Sequence, residues 1–224
     1  APMFAAAYGY VRDYARPVLL SGTASDSRCG SFVIINRSGW VITAKHILEE
    51  AEDEDSFKKS MWGWKGVSID EVFMDSDSDL AVGRLTGFDG DWVSDYPVFC
   101  EPEEIVLGMS VGRIGYTIDD GEDIASASAF MNSGIVSKDY EDSNVRYIVT
   151  SSPGIKGQSG GPVFDKDGAV CGLQVSTRIA GLGYHRMSEH GEAAAMVSCE
   201  GLAVHVEAVR KFLDTAGVSY RIKG

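Results

Sequence analysis

The sequence lacks the features that define several broad classes of protein. No apolar run approaches the roughly 18 residues of a membrane-spanning helix, no CxxC pair occurs, and no repeat or low-complexity block is found. A short apolar stretch near the N-terminus has no basic segment ahead of it, so it does not have the pattern of an intact secretory signal. These absences favour a globular protein with no membrane span.

Positive charge is also scarce in this chain. Twenty Lys and Arg stand against 33 Asp and Glu, which gives a net charge of −13. Such a surface repels phosphate backbones, and nucleic acid is therefore not expected as a partner. The acidic residues at 49–55 and 119–123 are interpreted as solvated loops, and a docking patch for a basic partner is the alternative.

Cysteine is too rare and too scattered for a disulfide framework. The four cysteines, at 29, 100, 171 and 199, are predicted to be small buried residues in a reducing compartment, with a single disulfide left open. We therefore expect a cytoplasmic protein, and a secreted or periplasmic one if a signal was removed before Ala1. His185, His190 and Cys199 match no zinc spacing, so neither a metal ion nor an organic cofactor is expected.

Short apolar runs separated by glycine and acidic turns make up most of the chain between residues 17 and 205. Examples are GSFVIIN, GWVITA, DLAVGRL and GAVCGLQVS, and NRSG and DKDG have the composition of hairpin turns. The pattern predicts an all-β sandwich or barrel.

Helical periodicity is found only at the two ends of the sequence. A weak amphipathic turn is predicted from Tyr8, Val11 and Tyr14 or Ala15. A C-terminal helix of about three turns is predicted more clearly. Its apolar stripe and its C-cap glycine are Val206, Val209, Phe212, Leu213 and Gly217.

One serine stands among three glycines in GQSGGPVF, residues 157–164. Gly157 lets the chain turn its N–H inward, and Gly160 and Gly161 let the backbone pass close to its neighbours. This predicts Ser159 as a nucleophile, with the N–H groups of Gly157 and Ser159 as an oxyanion hole. The alternative is a glycine-rich hairpin that contains an incidental serine.

Serine needs a base, and the base needs a carboxylate that holds it in the right tautomer. His46 ends the strand GWVITAKH at a turn, where its side chain can face a cleft. Asp79 leads directly into the apolar strand LAV, whereas Asp75 and Asp77 are interpreted as solvated turn residues. His46, Asp79 and Ser159 are therefore the candidate catalytic residues.

TAKH, DSDLAV and GQSGGP resemble the three catalytic boxes of the chymotrypsin-like, or trypsin-fold, serine proteases. Their spacing and the closing helix are most similar to bacterial HtrA-like and related trypsin-like peptidases. The resemblance covers residues 18–216 and implies two six-stranded antiparallel β-barrels with the active site between them, followed by a C-terminal α-helix. It places His46 and Asp79 in a first barrel at 18–102 and Ser159 in a second at 103–204. An N-terminal extension occupies 1–17, and the helix and tail occupy 205–224.

The resemblance also implies a set of substrate-binding residues. The segment 174–177 resembles the strand that pairs with the substrate backbone, and Ser176 is expected to support the Asp79 carboxylate. The expected substrate-binding residues are Pro153, Ile155, Lys156, Gln174, Val175, Ser176, Thr177 and Arg178. No acid lies at the presumed pocket base, so neutral side chains of small or medium size are expected, or acidic ones if Arg178 turns inward.

One departure from trypsin bears on control of the site. Gln158 stands where trypsin has an aspartate that pairs with a freed N-terminal amine, so activation by that ion pair is not expected. Control would then use loop order, oligomerisation or a regulatory partner. The polar stretch 178–193 is interpreted as a mobile loop beside the cleft.

The function expected from these residues is that of a serine endopeptidase that cleaves peptide or protein substrates through an acyl-enzyme. A catalytically silent trypsin-fold module that binds peptides or scaffolds a complex is the alternative. A viral polyprotein-processing protease would use the same chemistry in another biological context.

Overall fold

Strands make up most of this computed structural model, which describes residues 2–20, 28–52, 61–62, 67–117, 128–187 and 193–224. The helices are α1 (Ala5–Tyr14), α2 (Lys45–Glu52) and α3 (Val206–Ala216). The strands are β1 (Ala15–Leu20), β2 (Arg28–Ile34), β3 (Trp40–Ala44), β4 (Met61–Trp62), β5 (Ile69–Met74), β6 (Leu80–Leu85), β7 (Val98–Phe99), β8 (Ser110–Thr117), β9 (Ser128–Asp142), β10 (Val145–Thr150), β11 (Pro162–Phe164), β12 (Val170–Met187), β13 (Ala193–His205) and β14 (Arg221–Ile222).

The N-terminal half forms a six-stranded antiparallel sheet in the order β4-β1-β2-β3-β6-β5. The runs GSFVIIN and GWVITA supply β2 and β3, whose apolar residues Phe32, Ile34 and Ile42 are fully buried. β1 begins at Ala15, slightly before the predicted boundary at residue 18. The sheet therefore contains the first set of strands that the sequence predicted.

The C-terminal half forms an eight-stranded sheet in the order β11-β8-β9-β10-β13-β12-β7-β14. An additional antiparallel pairing of β11 with β12 closes six of these strands into a barrel. β7 and β14 add to its edge as parallel strands, although β7 lies within the range 18–102 assigned to the first barrel. The buried Phe99 and the bond from the Cys100 N–H to the Val170 carbonyl hold β7 on the second sheet.

Both predicted helices are present. α3 buries the predicted stripe of Val206, Val209, Phe212 and Leu213, and it ends at Gly217 in the left-handed conformation with φ of 71°. α1 packs through Ala7, Val11 and Tyr14, which are buried. No helix in the described ranges is both long and apolar enough to cross a lipid bilayer.

Two smaller predictions need correction. Residues 178–187 belong to β12 and residue 193 begins β13. The two strands pair as a hairpin whose last pair is Met187 with Ala193, so the prediction of a loop is wrong for these residues. Cys199 is exposed, contrary to expectation, whereas Cys100 and Cys171 are buried as predicted, and all three are free thiols. The acidic residues 119–123, residues 53–55 and His190 lie outside the described residues.

Candidate active site

The register of two strands brings His46 and Asp79 together. β3 pairs with β6 antiparallel, with Ala44 opposite Leu80. The chain leaves β3 at His46 in the first turn of α2, directly beside Asp79, which precedes β6. The Lys45 N–H donates to the Asp79 carbonyl at 3.0 Å and fixes the two segments together.

Asp79 bonds to His46 twice. Its Oδ2 lies 2.6 Å from the imidazole Nδ1, and its Oδ1 accepts from the His46 backbone N–H at 2.9 Å. Because an ionised carboxylate only accepts, the side-chain contact is a hydrogen bond when the imidazole carries a proton on Nδ1. The two side chains are 38% and 32% exposed, so the pair opens to the cleft instead of lying in the core.

The Ser159 loop is clamped between the two sheets. The Ser31 N–H on β2 donates to the Ser159 carbonyl at 2.9 Å, and the Gly160 N–H donates to the Gln174 carbonyl on β12 at 2.8 Å. The Ser31 hydroxyl also donates to the Gly157 carbonyl at 2.7 Å. The nucleophile candidate is therefore positioned by backbone bonds to both halves of the molecule.

Glycines are required on both sides of Ser159. A Cβ at Gly157 would lie 1.9 Å from the Tyr116 carbonyl oxygen, and one at Gly160 would lie 2.0 Å from the Ser31 carbonyl oxygen. Both residues have positive φ, +95° and +86°. Conformation and close backbone approach together account for the glycine-rich sequence.

We expect Gly160→Ala to destabilise the protein much more than Gly217→Ala. Gly217 also has positive φ, +71°, but nothing lies within 4 Å of the place a Cβ would occupy there, so its substitution costs only the backbone strain of about 1–2 kcal/mol. Overpacking at Gly160 adds about 1–3 kcal/mol or more. Urea titration of the two variants and the unmodified protein measures the difference, and equal losses at both positions would contradict the tight approach at Gly160.

The loop that precedes Ser159, residues 155–158, forms a tight turn. The Gln158 N–H donates to the Ile155 carbonyl at 3.0 Å, and Gly157 has the positive φ of the third residue of a type II turn. Among the described residues, the N–H groups of Gly157 and Ser159 have no backbone or side-chain acceptor. Two amides are thus free to donate to a developing oxyanion.

Gln158 stabilises this loop through its side chain. It is fully buried; its Oε1 accepts from the Ile155 N–H at 3.0 Å and its Nε2 donates to the Phe130 carbonyl at 3.1 Å. Neutral hydrogen bonds to β9 thus occupy the position where trypsin would use an ion pair.

An open cleft of about 530 Å³ contains the candidate catalytic residues. Its lining consists of His46, Asp79, Gly154, Ile155, Lys156, Ser159, Gln174, Val175, Ser176 and Thr177. Two predicted substrate-binding residues are not part of the lining. The Pro153 carbonyl accepts from Asn132 behind the wall, and the exposed Arg178 guanidinium lies 6.0 Å from the centre of the Tyr140 ring.

Ser176 does not have the contact expected of it. Its side chain is exposed, and among the described residues the hydrogen-bond donor to the Asp79 carboxylate is His46. Val175, one residue earlier, is buried in the lining. The pairing of β12 with β13 is irregular between Gln174 and Ser176, and no hydrogen bond joins Ser176 to the Asp79 carboxylate among the described residues.

Arg113 is a residue next to this cleft that the sequence reasoning missed. It lies on β8, is 1% exposed, and its Nε donates to Gln174 Oε1 at 2.7 Å. Burial lowers the pKa of its guanidinium to about 10. The sequence did contain an indication of this residue, a single arginine inside the apolar run SVGRIGYT. Charged residues are almost never fully buried unless they are paired, so an arginine in a predicted buried strand is unusual.

Comparison with known proteins identifies the family. A family model described as "Trypsin-like peptidase domain" matches residues 30–173. The chain therefore belongs to the trypsin-like peptidase family.

Individual relatives agree with this assignment. The chain is similar to "Serine protease Do-like HtrA" of Bacillus subtilis (strain 168), with 28% identity over 162 residues, 68% of this chain and 34% of that protein. Two structures of the HtrA-type protease AlgW with a tripeptide share the fold, with TM-scores of 0.61 and 0.59 at 17% and 18% identity. They match 95% and 97% of this chain and 62% and 65% of their own. The chain thus spans about a third of the curated relative and under two thirds of these structures.

Proposed function

We propose that this trypsin-like peptidase domain is a serine endopeptidase that uses His46, Asp79 and Ser159. The observation that carries the proposal is the 2.6 Å contact between His46 Nδ1 and Asp79 Oδ2 in the cleft that Ser159 also lines. This contact gives the imidazole the tautomer that a general base needs.

The proposed acylation step moves one proton and forms one bond. His46 Nε2 takes the proton of the Ser159 hydroxyl as Oγ bonds to the substrate carbonyl carbon, and the carbonyl oxygen becomes an oxyanion. The free N–H groups of Gly157 and Ser159 donate to that oxygen, and Asp79 stabilises the imidazolium. The scissile C–N bond then breaks as His46 returns the proton to the leaving amine, and a water molecule repeats the sequence on the acyl-enzyme.

The substrate backbone is proposed to lie along β12. Residues 174–177 line the cleft beside Ser159 and present a strand to which an extended peptide can add. The two structures with this fold each contain a tripeptide. Peptide and protein chains are therefore the proposed substrates. Control of the site by a regulatory partner or by oligomerisation is also proposed.

A fluorophosphonate probe tests the organisation of the site. We expect one phosphonyl adduct on the folded protein, located on Ser159 by peptide mapping, because only a hydroxyl with a base and oxyanion donors reacts at a useful rate. The Ser159→Ala variant and the unfolded protein serve as controls and should not be labelled. A folded protein that is not labelled would favour the catalytically silent peptide-binding module.

A further inference from the structure

Arg113 is a buried cation with no acidic partner among the described residues. Among the described residues its guanidinium donates to neutral oxygens: Gln174 Oε1 at 2.7 Å, the carbonyls of Ser152 and Pro153 at 3.1 Å, the Ser152 hydroxyl at 3.2 Å, and the Thr150 hydroxyl. Burial is the physical cause of its lowered pKa, and no neighbouring carboxylate offsets it. Since an uncompensated buried charge is costly, its position next to the cleft needs an explanation.

The fold leaves room for this guanidinium. A Cβ at Gly201 on β13 would lie 2.1 Å from Arg113 Nη2 and 2.3 Å from the Thr150 hydroxyl oxygen. Any larger residue at position 201 would therefore displace Arg113. The arginine is held behind the cleft by matched packing as well as by hydrogen bonds.

Arg113 determines the orientation of the Gln174 carboxamide. Because a guanidinium only donates, Gln174 presents its oxygen to Arg113 and its nitrogen in the opposite direction. That nitrogen donates to the Ser176 carbonyl and lies 2.1 Å from where a Cβ on Gly154 would be, at the wall of the cleft. Gln174 is 2% exposed, so the second proton of its amide nitrogen is available only to a substrate oxygen that enters the wall beside Gly154.

The lining also contains Lys156 and Asp79, and a hydrogen bond joins two of its segments. Lys156 is exposed at the lining, in a protein whose net charge is −13. The Thr177 hydroxyl donates to the Gly154 carbonyl at 2.5 Å and joins the two walls. A short side chain that carries oxygen acceptors can bond to both Lys156 and the Gln174 amide nitrogen.

We propose that Gln174, oriented by Arg113, is the specificity-determining residue of this cleft, and that the protein cleaves after acidic residues, aspartate before glutamate. The inference rests on the proposed function, because it assumes that the carbonyl attacked by Ser159 belongs to the residue whose side chain enters this pocket. The substrate carboxylate accepts from the Gln174 amide nitrogen and supplies the missing counter-charge to Arg113. Lysine and arginine side chains are repelled.

Matched fluorogenic peptides that differ in the residue before the scissile bond test the proposal. The set contains Asp, Asn, Glu, Gln, Ala and Lys at that position. We expect kcat/KM for Asp to exceed that for the isosteric Asn by roughly 10- to 100-fold, because a hydrogen bond to a charged group is the stronger one. Asp should also exceed Glu, and Lys should be the poorest substrate. Equal values for Asp and Asn would overturn the proposal.

The Gln174→Glu variant tests the role of the residue itself. The new carboxylate has nearly the same shape and pairs with Arg113, so the charge behind the pocket is neutralised and the amide donor is lost. The Asp/Asn ratio of kcat/KM should fall to about 1 or below. Ser38→Glu adds the same charge at an exposed position outside the cleft lining and should keep the wild-type ratio. A preserved ratio in Gln174→Glu would overturn the role of Gln174.

The experiments distinguish an error in the proposed acidic preference from an error in the proposed serine endopeptidase function. Labelling of Ser159 by the fluorophosphonate probe together with cleavage that shows no acidic preference would refute the inference alone. No labelling and no cleavage of any peptide would refute both. If Gln174→Glu does not give a cooperative thermal unfolding transition, the Asp/Asn ratio of the unmodified protein decides the question.

Discussion

Replacement of Ser159 by alanine is expected to lower turnover of a peptide substrate by on the order of 10⁶-fold. The reason is that the hydroxyl is the group that forms the acyl-enzyme, and no other side chain can substitute for it from the same position. The loop should keep its shape, since Ser159 is held through its carbonyl by Ser31 and its neighbour Gly160 through its N–H by Gln174. Peptide affinity should therefore change little, and single-turnover kinetics with isothermal titration measure both quantities.

A matched serine-to-alanine change controls for nonspecific effects. Ser38 is exposed and lies outside the cleft lining, so Ser38→Ala should keep its full activity. Cleavage that persists in Ser159→Ala at more than a small fraction of the original rate, from protein purified free of contaminating protease, would show that another residue is the nucleophile.

The fold class and the three candidate catalytic residues could be predicted because each depends on local patterning. Alternating apolar runs and turn residues determine strands, and Asp79 stands at the start of such a strand. His46 stands at the end of another. Since β3 and β6 pair antiparallel, the end of one strand meets the start of the next, and this register brings His46 to Asp79. The glycines around Ser159 are similarly explained by the positive φ and close backbone approach that a tight turn requires.

Features that depend on long-range packing could not be predicted in this way. β7 pairs with β12 in parallel although it lies in the N-terminal range, because its short apolar pair contains nothing that specifies its partner. The expected contact between Ser176 and Asp79 depended on the local register of β12, which is irregular between Gln174 and Ser176, and the sequence pattern does not show such an irregularity. The cluster around Arg113 joins β8, β10 and β12, and a sequence pattern does not show such a meeting.

Packing between the two sheets also determines the geometry of the candidate active site. The Ser31 hydroxyl donates to the Gly157 carbonyl and accepts from the Tyr116 N–H at 3.0 Å. This one buried side chain therefore connects β2 to β8 and to the loop that precedes Ser159. The Thr43 hydroxyl, from the strand that leads to His46, donates to the Ser31 carbonyl at 2.7 Å. The segments that carry His46 and Ser159 are thus linked through a chain of buried hydrogen bonds. Small shifts between the sheets would change the distance between them.

Replacement of Asp79 by asparagine is expected to lower kcat by on the order of 10⁴-fold with little loss of stability. The asparagine oxygen can still accept from the His46 backbone N–H, the bond that is 2.9 Å long here, so the turn should persist. The amide nitrogen then faces Nδ1 as a donor, which moves the ring proton to Nε2 and leaves no base for Ser159. Asp77→Asn is the matched control, because Asp77 is exposed in the same turn and should tolerate the change. Steady-state kinetics and thermal unfolding of both variants distinguish an effect on catalysis from an effect on stability. If Asp79→Asn keeps a kcat within tenfold of the original, His46 does not depend on this carboxylate.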